Sequence, residues 1–344
     1  MFAEKLLNMM NAGAASLMIS IGHRTHLFDT METMAPGTSQ EIADAAGLNE
    51  RYVREWLGAM VTSGIVVYDM MTDKYHLPEM HARMLTRTHE ADNFATVMQY
   101  VGLLGTVEDK IVDCFYNGGG IPYSEYPRFQ TVMADDSGQS VRSSLIDHIL
   151  PLMPGMLERL EQGISVLDVG CGMGKAMILL AEHFPNSRFT GYDISEEGIA
   201  SANAEAAGKG LCNVRFMIRD AATFRDREMY DLIMTFDSVH DQAKPDAMLK
   251  NIHRALRNDG VYLMQDIDAH SNVGENMEHP IGTFIYTVSC MHCMTVSLAE
   301  GGAGLGAAWG VELAEQMVRE AGFSSVEIKR LPHDFQNCYY IIKK

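Results

Sequence analysis

The stretch Ile164-Ser-Val-Leu-Asp-Val-Gly-Cys-Gly-Met-Gly-Lys175 constrains this chain more than any other, because it runs directly into an apolar helical segment from Ala176 to Phe184. Val166, Leu167 and Val169 read as a buried parallel strand, and Gly170, Gly172 and Gly174 let the backbone turn sharply and approach a ligand at a helix N-terminus. The glycines are spaced G-x-G-x-G rather than G-x-G-x-x-G, and Asp168 stands just before them. A dinucleotide site keeps carboxylates away from its phosphates, so the expected ligand is not a pyrophosphate and a nicotinamide-dependent oxidoreductase is disfavoured.

Three further strand-like segments follow. Arg188–Asp193 ends in an acid, Val214 onward ends at Asp220-Ala221, and Tyr230–Asp237 leads into Ser238-Val-His240-Asp241. A ligand-free sheet with accidental glycines is the weaker reading, because four βα units agree in order and spacing. Together these residues resemble the class I S-adenosylmethionine-dependent methyltransferases. The resemblance implies an α/β fold with a Rossmann-like, mostly parallel seven-stranded sheet, an antiparallel C-terminal hairpin, and an N-terminal α-helical winged-helix domain. It also implies a site for the cofactor S-adenosyl-L-methionine. Asp168, Gly170, Cys171, Gly172 and Gly174 would face its methionine part, Asp193 and Ile194 the ribose, Asp220 and Ala221 the adenine, with Phe236 and Asp237 at the fourth strand's end.

The chain has 344 residues, with 27 Lys plus Arg against 45 Asp plus Glu and a formal net charge of −18. Such a balance supplies no general field for polyanions, so neither nucleic acid nor an anionic membrane is the expected partner. The first residues lack the basic start and cleavage site of a signal peptide, and no stretch is long enough to span a bilayer, which predicts a cytoplasmic protein. The six cysteines read as reduced thiols, with Cys171 and Cys212 in packing roles. The 26 methionines, spread along the chain, fit an adaptable apolar interior.

Residues 1–85 read as a winged-helix and dimerisation domain, 86–155 as a helical connector and lid, and 156–344 as the cofactor-binding domain. An apolar helix or helix pair occupies residues 1 to about 30; a capped helix runs from Thr38 to Gly47, a second over 49–60, and a wing pairs Gly64–Tyr68 with Lys74–Leu77. One reading of this pattern is DNA binding through Arg51 and Arg54, but Glu50, Glu55, an inward Trp56 and the acidic background argue against it. The resemblance points instead to homodimerisation. Residues 117–127 form a breaker-rich connection, and Tyr123, Tyr126 and Phe129 either close over a ligand or pack on a neighbouring helix. A helix is expected from Val141 to Leu160, a turn at Arg257–Gly260 into a fifth strand ending at Asp266, a closing helix over 312–322, and strands over 325–330 and 338–342. Between them, residues 267–310 read as a long ordered loop walling the acceptor pocket.

Methyl transfer to oxygen needs a base, and His240 follows the fourth strand where the methyl group should point. In winged-helix O-methyltransferases a His-Asp pair stands at this place and the histidine is the base, which His240-Asp241 resembles. The following Gln242-Ala-Lys-Pro245 departs from that family's aromatic and acid, and the competing reading is a His240 that only caps the next helix or bonds Asp241. Cys290-Met-His292-Cys293 has C-x-x-C spacing but no second pair, and packing thiols are preferred to a metal site. The expected activity is O- or N-methylation of a small acceptor. The competing reading is a regulator or scaffold that binds the cofactor without turnover.

Overall fold

The computed structural model describes the backbone of residues 1–344 and the side chains of all but 90–92, 137 and 139–142. The chain divides into two compact units, Met1–Thr106 with Thr131–Ser140, and Val107–Gln130 with Val141–Lys344.

In the first unit the N-terminal helices are Phe2–Arg24 and Leu27–Thr33. Thr38 and Glu41 form a reciprocal cap on helix Ser39–Ala46, which stops where Gly47 turns left-handed. Helix Glu50–Thr62 begins at Asn49 and turns Trp56 inward, where the ring meets Phe28 edge-on and Nε1 donates to the Met18 carbonyl at 2.8 Å. Arg51 and Arg54 are paired on their own helix with Glu55 and Glu50. The wing is narrower than expected: β1 (Val67–Asp69) pairs with β2 (Lys74–His76), and the Asp69 carboxylate holds the turn through Met71 N–H and the Thr72 hydroxyl.

The second unit is built on β3 (Ser165–Val169), β4 (Arg188–Asp193), β5 (Val214–Ile218), β6 (Tyr230–Phe236), β7 (Leu256–Ile267), β8 (Ser325–Lys329) and β9 (Asn337–Lys343). Their order is β5-β4-β3-β6-β7-β9-β8, with β3 to β7 parallel and β9 antiparallel to both β7 and β8. Helices Lys175–His183 and Glu196–Gly208 cover one face, Pro245–Ala255 and Gly310–Glu320 the other, so β6 is an unbroken apolar run except for Asp231 and Thr235. The strand order reverses between β3 and β6, which opens the ligand crevice at their carboxyl ends.

Three expectations are corrected. The turn at Arg257–Gly260 is looped out within β7, so that Tyr230 faces Leu256 while Leu232 faces Val261. The helix expected from Val141 begins at Phe129 and runs to Ser144, and residues beyond it break into short turns around Pro151 and a left-handed Gly155 before helix Met156–Gln162. Residues 267–310 are largely helical, through Val273–Asn276, Gly282–Val288, a wide π-turn at Ser289–Cys293, and Met294–Ala299. Ile285, Cys293 and Ala307 bury themselves against Ile267 and Ala269, which is what turns a loop into a packed element. Among the described residues no helix is long and apolar enough to cross a membrane.

Candidate active site

The glycine turn after β3 is held from below. Gly170 N–H and Cys171 N–H both donate to the Tyr192 carbonyl, and Gly172 N–H donates to the Asp193 carboxylate at 2.7 Å. Gly170 has φ 82°, and a Cβ there would lie 2.5 Å from Ser238, so only glycine fits. Gly172 has φ 51° with open space where a side chain would project, and Gly174 starts helix Lys175–His183. Asp193 also accepts from Ser195 N–H at 2.8 Å, yet each carboxylate oxygen keeps a second acceptor position. Asp168 is buried at the floor with Oδ1 unpartnered, and burial, followed by the neighbouring Asp193 charge, pushes its carboxyl up to about 8.

Asp220 uses its carboxylate to cap its own turn through Ala222 N–H, and Ala221 is buried behind it. Ile194 is exposed beside Asp193, and Phe236 packs into the core at the end of β6. Asp237, left-handed at φ 50°, accepts from Gln265 through one oxygen while the other has no partner. Burial and Asp266 push it up to about 8.

His240 and Asp266, both buried, meet at 2.7 Å through His240 Nδ1. Asp266 also accepts from Trp309 Nε1 at 3.0 Å and from Ile267 N–H. This corrects the expected pairing with Asp241, which accepts instead from the Tyr123 hydroxyl. The reason is chain direction: β6 and β7 lie side by side, so the end of β7 faces the loop that follows β6. Burial opposes charge on His240, but the neighbouring Asp266 carboxylate, followed by Cys293, outweighs it and raises the imidazole well above its usual range.

Residues 160–322 match a methyltransferase domain family, and residues 13–87 match the Rv2258c-like winged HTH domain. The chain therefore carries a methyltransferase domain together with an N-terminal winged HTH domain. The fold is similar to that of a putative O-methyltransferase from Nostoc punctiforme, with TM-score 0.73 and 21% identity over 99% of this chain and 98% of that one. It is likewise similar to human N-acetylserotonin methyltransferase in complex with SAM, with TM-score 0.69 and 16% identity over 99% and 97%. A curated relative, (S)-coclaurine N-methyltransferase of Papaver somniferum, is 27% identical over 109 residues, 32% of this chain and 31% of that protein. The chain spans less than half the length of the first curated relatives it matches, between 30% and 49%.

In this methyltransferase fold the cradle suits a cationic amino acid moiety, since the unpartnered Asp168 oxygen offers an acceptor and Gly172 leaves the space. The aromatic residues of the breaker-rich segment pack as a group on the π-turn. His292 stacks on Phe129 at 3.7 Å, Tyr123 and Tyr126 meet it edge-on, and the Tyr126 hydroxyl donates to the Met291 carbonyl. Cys171 is buried as expected, whereas Cys212 is exposed and does not pack. Cys290, His292 and Cys293 do not converge; among the described residues, the group with ligand atoms close together is His270, Glu275 and Glu312. There His270 is ion-paired with both glutamates.

Sequence reasoning missed Asp266 and Trp309 as partners of the histidine. Gly306 N–H donates to the His240 carbonyl at 3.2 Å and Ala303 N–H to that of Ala243 at 3.0 Å, which fixes the histidine's loop. An acid at the end of a strand adjacent to the histidine's own was the available signal.

Proposed function

We propose that this protein transfers the methyl group of S-adenosylmethionine to a small acceptor through oxygen or nitrogen. The buried His240–Asp266 pair at the carboxyl edge of the sheet carries this reading. When bound, the cofactor supplies an electrophilic methyl group on a sulfonium. Asp168, Gly170, Cys171, Gly172, Gly174, Asp193 and Ile194 would hold its methionine and ribose parts, and Asp220, Ala221, Phe236 and Asp237 would complete the site. Asp266 keeps the Nδ1 proton of His240 in place, leaving Nε2 to take the acceptor's proton, and it stabilises the imidazolium that results. Asp241 serves the acceptor side together with Tyr123. A regulator or scaffold that only binds the cofactor would have no use for a buried, oriented imidazole.

Exposed apolar residues along helix Phe2–Arg24, among them Leu7 at 57% and Met10 at 63% exposure, support a homodimer formed through that helix. The acidic balance and the pairing of Arg51 and Arg54 on their own helix support a protein that binds no nucleic acid. Calorimetric titration with S-adenosylmethionine and S-adenosylhomocysteine, followed by a homocysteine-release screen of phenols and amines, tests the whole reading. Saturable binding with turnover of at least one acceptor is the expected result. Absence of binding in folded protein would reject it, and binding with salt-sensitive DNA retention and no turnover would favour the regulator.

A further inference from the structure

Asp226 lies in the loop between β5 and β6 and is not among the residues assigned to the cofactor above. Its Oδ2 accepts from the Tyr192 hydroxyl at 2.6 Å and from the Tyr230 hydroxyl at 3.1 Å, and the two hydroxyls lie 2.9 Å apart. Its Oδ1 pairs with Arg219 Nη1 at 3.4 Å. Arg219 in turn lays its guanidinium over the Tyr192 ring, 4.9 Å from the centroid, and its main-chain N–H donates to the Asp193 carbonyl at 2.8 Å. Both tyrosines are buried, so this carboxylate completes a polar network inside an apolar layer. Helix Pro245–Ala255 holds the loop independently: Arg254 Nε donates to the Asp226 carbonyl at 3.3 Å, and Asn251 Nδ2 to the Ala221 carbonyl at 3.0 Å.

These partners matter because of their neighbours in the chain. Tyr192 immediately precedes Asp193, and its carbonyl accepts Gly170 N–H at 2.8 Å and Cys171 N–H at 3.1 Å. Arg219 immediately precedes Asp220. The acid for the ribose and the turn for the adenine therefore belong to different strands, and one carboxylate ties both. We infer that Asp226 is a positioning residue for the adenosine half of the cofactor, setting the spacing between Asp193 and the Asp220-Ala221 turn and with it the selectivity for adenine. The inference rests on the methyl-transfer reading above. Hydrogen bonds to a base weaken steeply once donor and acceptor leave their narrow range of distance and angle, so a group acting through Tyr192 and Arg219 controls which base fits.

The test compares S-adenosylhomocysteine with S-inosylhomocysteine, which carries a carbonyl where adenine has its amine, by calorimetric titration of the full chain. Wild type should prefer S-adenosylhomocysteine by about 10-fold or more. Asp226→Ala should weaken S-adenosylhomocysteine by about 10-fold and S-inosylhomocysteine by only about 2-fold, so that the preference collapses. Asp226→Asn keeps an oxygen for the two tyrosine hydroxyls and should restore most of the preference. Arg219→Gln removes the guanidinium from the Tyr192 ring at a partly exposed position and should also lower it. A general loosening of the fold lowers both affinities alike and leaves their ratio unmoved. A folded Asp226→Ala protein whose ratio equals that of wild type overturns the inference; where that variant does not fold, an unmoved ratio in Arg219→Gln does so. A wild-type protein that binds neither ligand rejects the methyl-transfer reading and this inference with it, whereas wild-type binding with unmoved variants rejects the inference alone.

Discussion

His240 and Asp266 meet at 2.7 Å, while Asp241, the residue next to the histidine in the chain, is turned to the Tyr123 hydroxyl. Two acids thus flank the same loop, and only one of them governs the imidazole. Asp266→Asn should lower the His240 pKa, measured by nuclear magnetic resonance of the ring, and Asp241→Asn should leave it nearly unchanged. Because the wild-type pKa is raised, the unprotonated base accumulates only as pH climbs above neutrality. Turnover should therefore rise with pH through that value, and fall about 100-fold or more in Asp266→Asn. A His240 that titrates normally in the wild type would contradict the pairing.

Asp168, with its carboxyl pushed up to about 8, is mostly protonated at pH 7 before any cation arrives. A bound ammonium group favours the carboxylate, so cofactor binding at pH 7 should release up to about one proton. Calorimetry in buffers of different ionisation enthalpy measures that number. Asp168→Asn should abolish the release contributed by this residue and weaken binding. An unchanged proton count in the variant would assign the linkage elsewhere.

Gly170 and Gly172 separate folding from binding. Gly170→Ala places a methyl against Ser238 as well as straining φ, and should destabilise the protein by about 2 kcal/mol or more. Gly172→Ala meets nothing in the protein, so it should cost only about 1 kcal/mol from backbone strain while still weakening cofactor affinity. Denaturant unfolding and titration of both variants give the comparison. Full affinity in Gly172→Ala would mean that no ligand approaches this turn.

The N-terminal helix leaves Leu6, Leu7, Met9 and Met10 each more than half exposed. Leu7→Glu with Met10→Glu should shift the protein from dimer to monomer in light scattering at micromolar concentration, with the circular dichroism spectrum retained. A wild-type protein that is already monomeric there would remove the proposed role of this face.

His292 is buried and its pKa is lowered to about 3, first by burial and then by the charge of His240. Its unfolded value is near 6.5, so unfolding takes up a proton below that pH. The neutral ring stabilises fully above about 6.5, and its contribution is lost as pH falls toward 3. Wild type should therefore lose about 2 kcal/mol more than His292→Phe between pH 7.5 and pH 5 in urea unfolding. Equal losses would place His292 in contact with solvent.

Local patterning made the sheet legible. Asp168, Gly170, Gly172, Asp193 and His240 sit at strand ends because apolar runs of strand length are punctuated there by glycine and acid, a signal carried within a few residues. The Thr38–Glu41 cap and the inward Trp56 were readable for the same reason. Residues 267–310 were not, since their helices are short and broken and are stabilised by burial against Ile267 and Ala269 rather than by their own period.

The amino-acid sequence alone therefore determined the order of strands, the glycine cradle and the position of the histidine, each of which depends on neighbours in the chain. Tertiary structure decided which acid orients that histidine and where Tyr123 reaches. Those contacts join Asp266 and Tyr123 to residues 26 and 118 positions away, and the pairing of parallel strands and the packing of helices across them carry no period that a linear reading can detect.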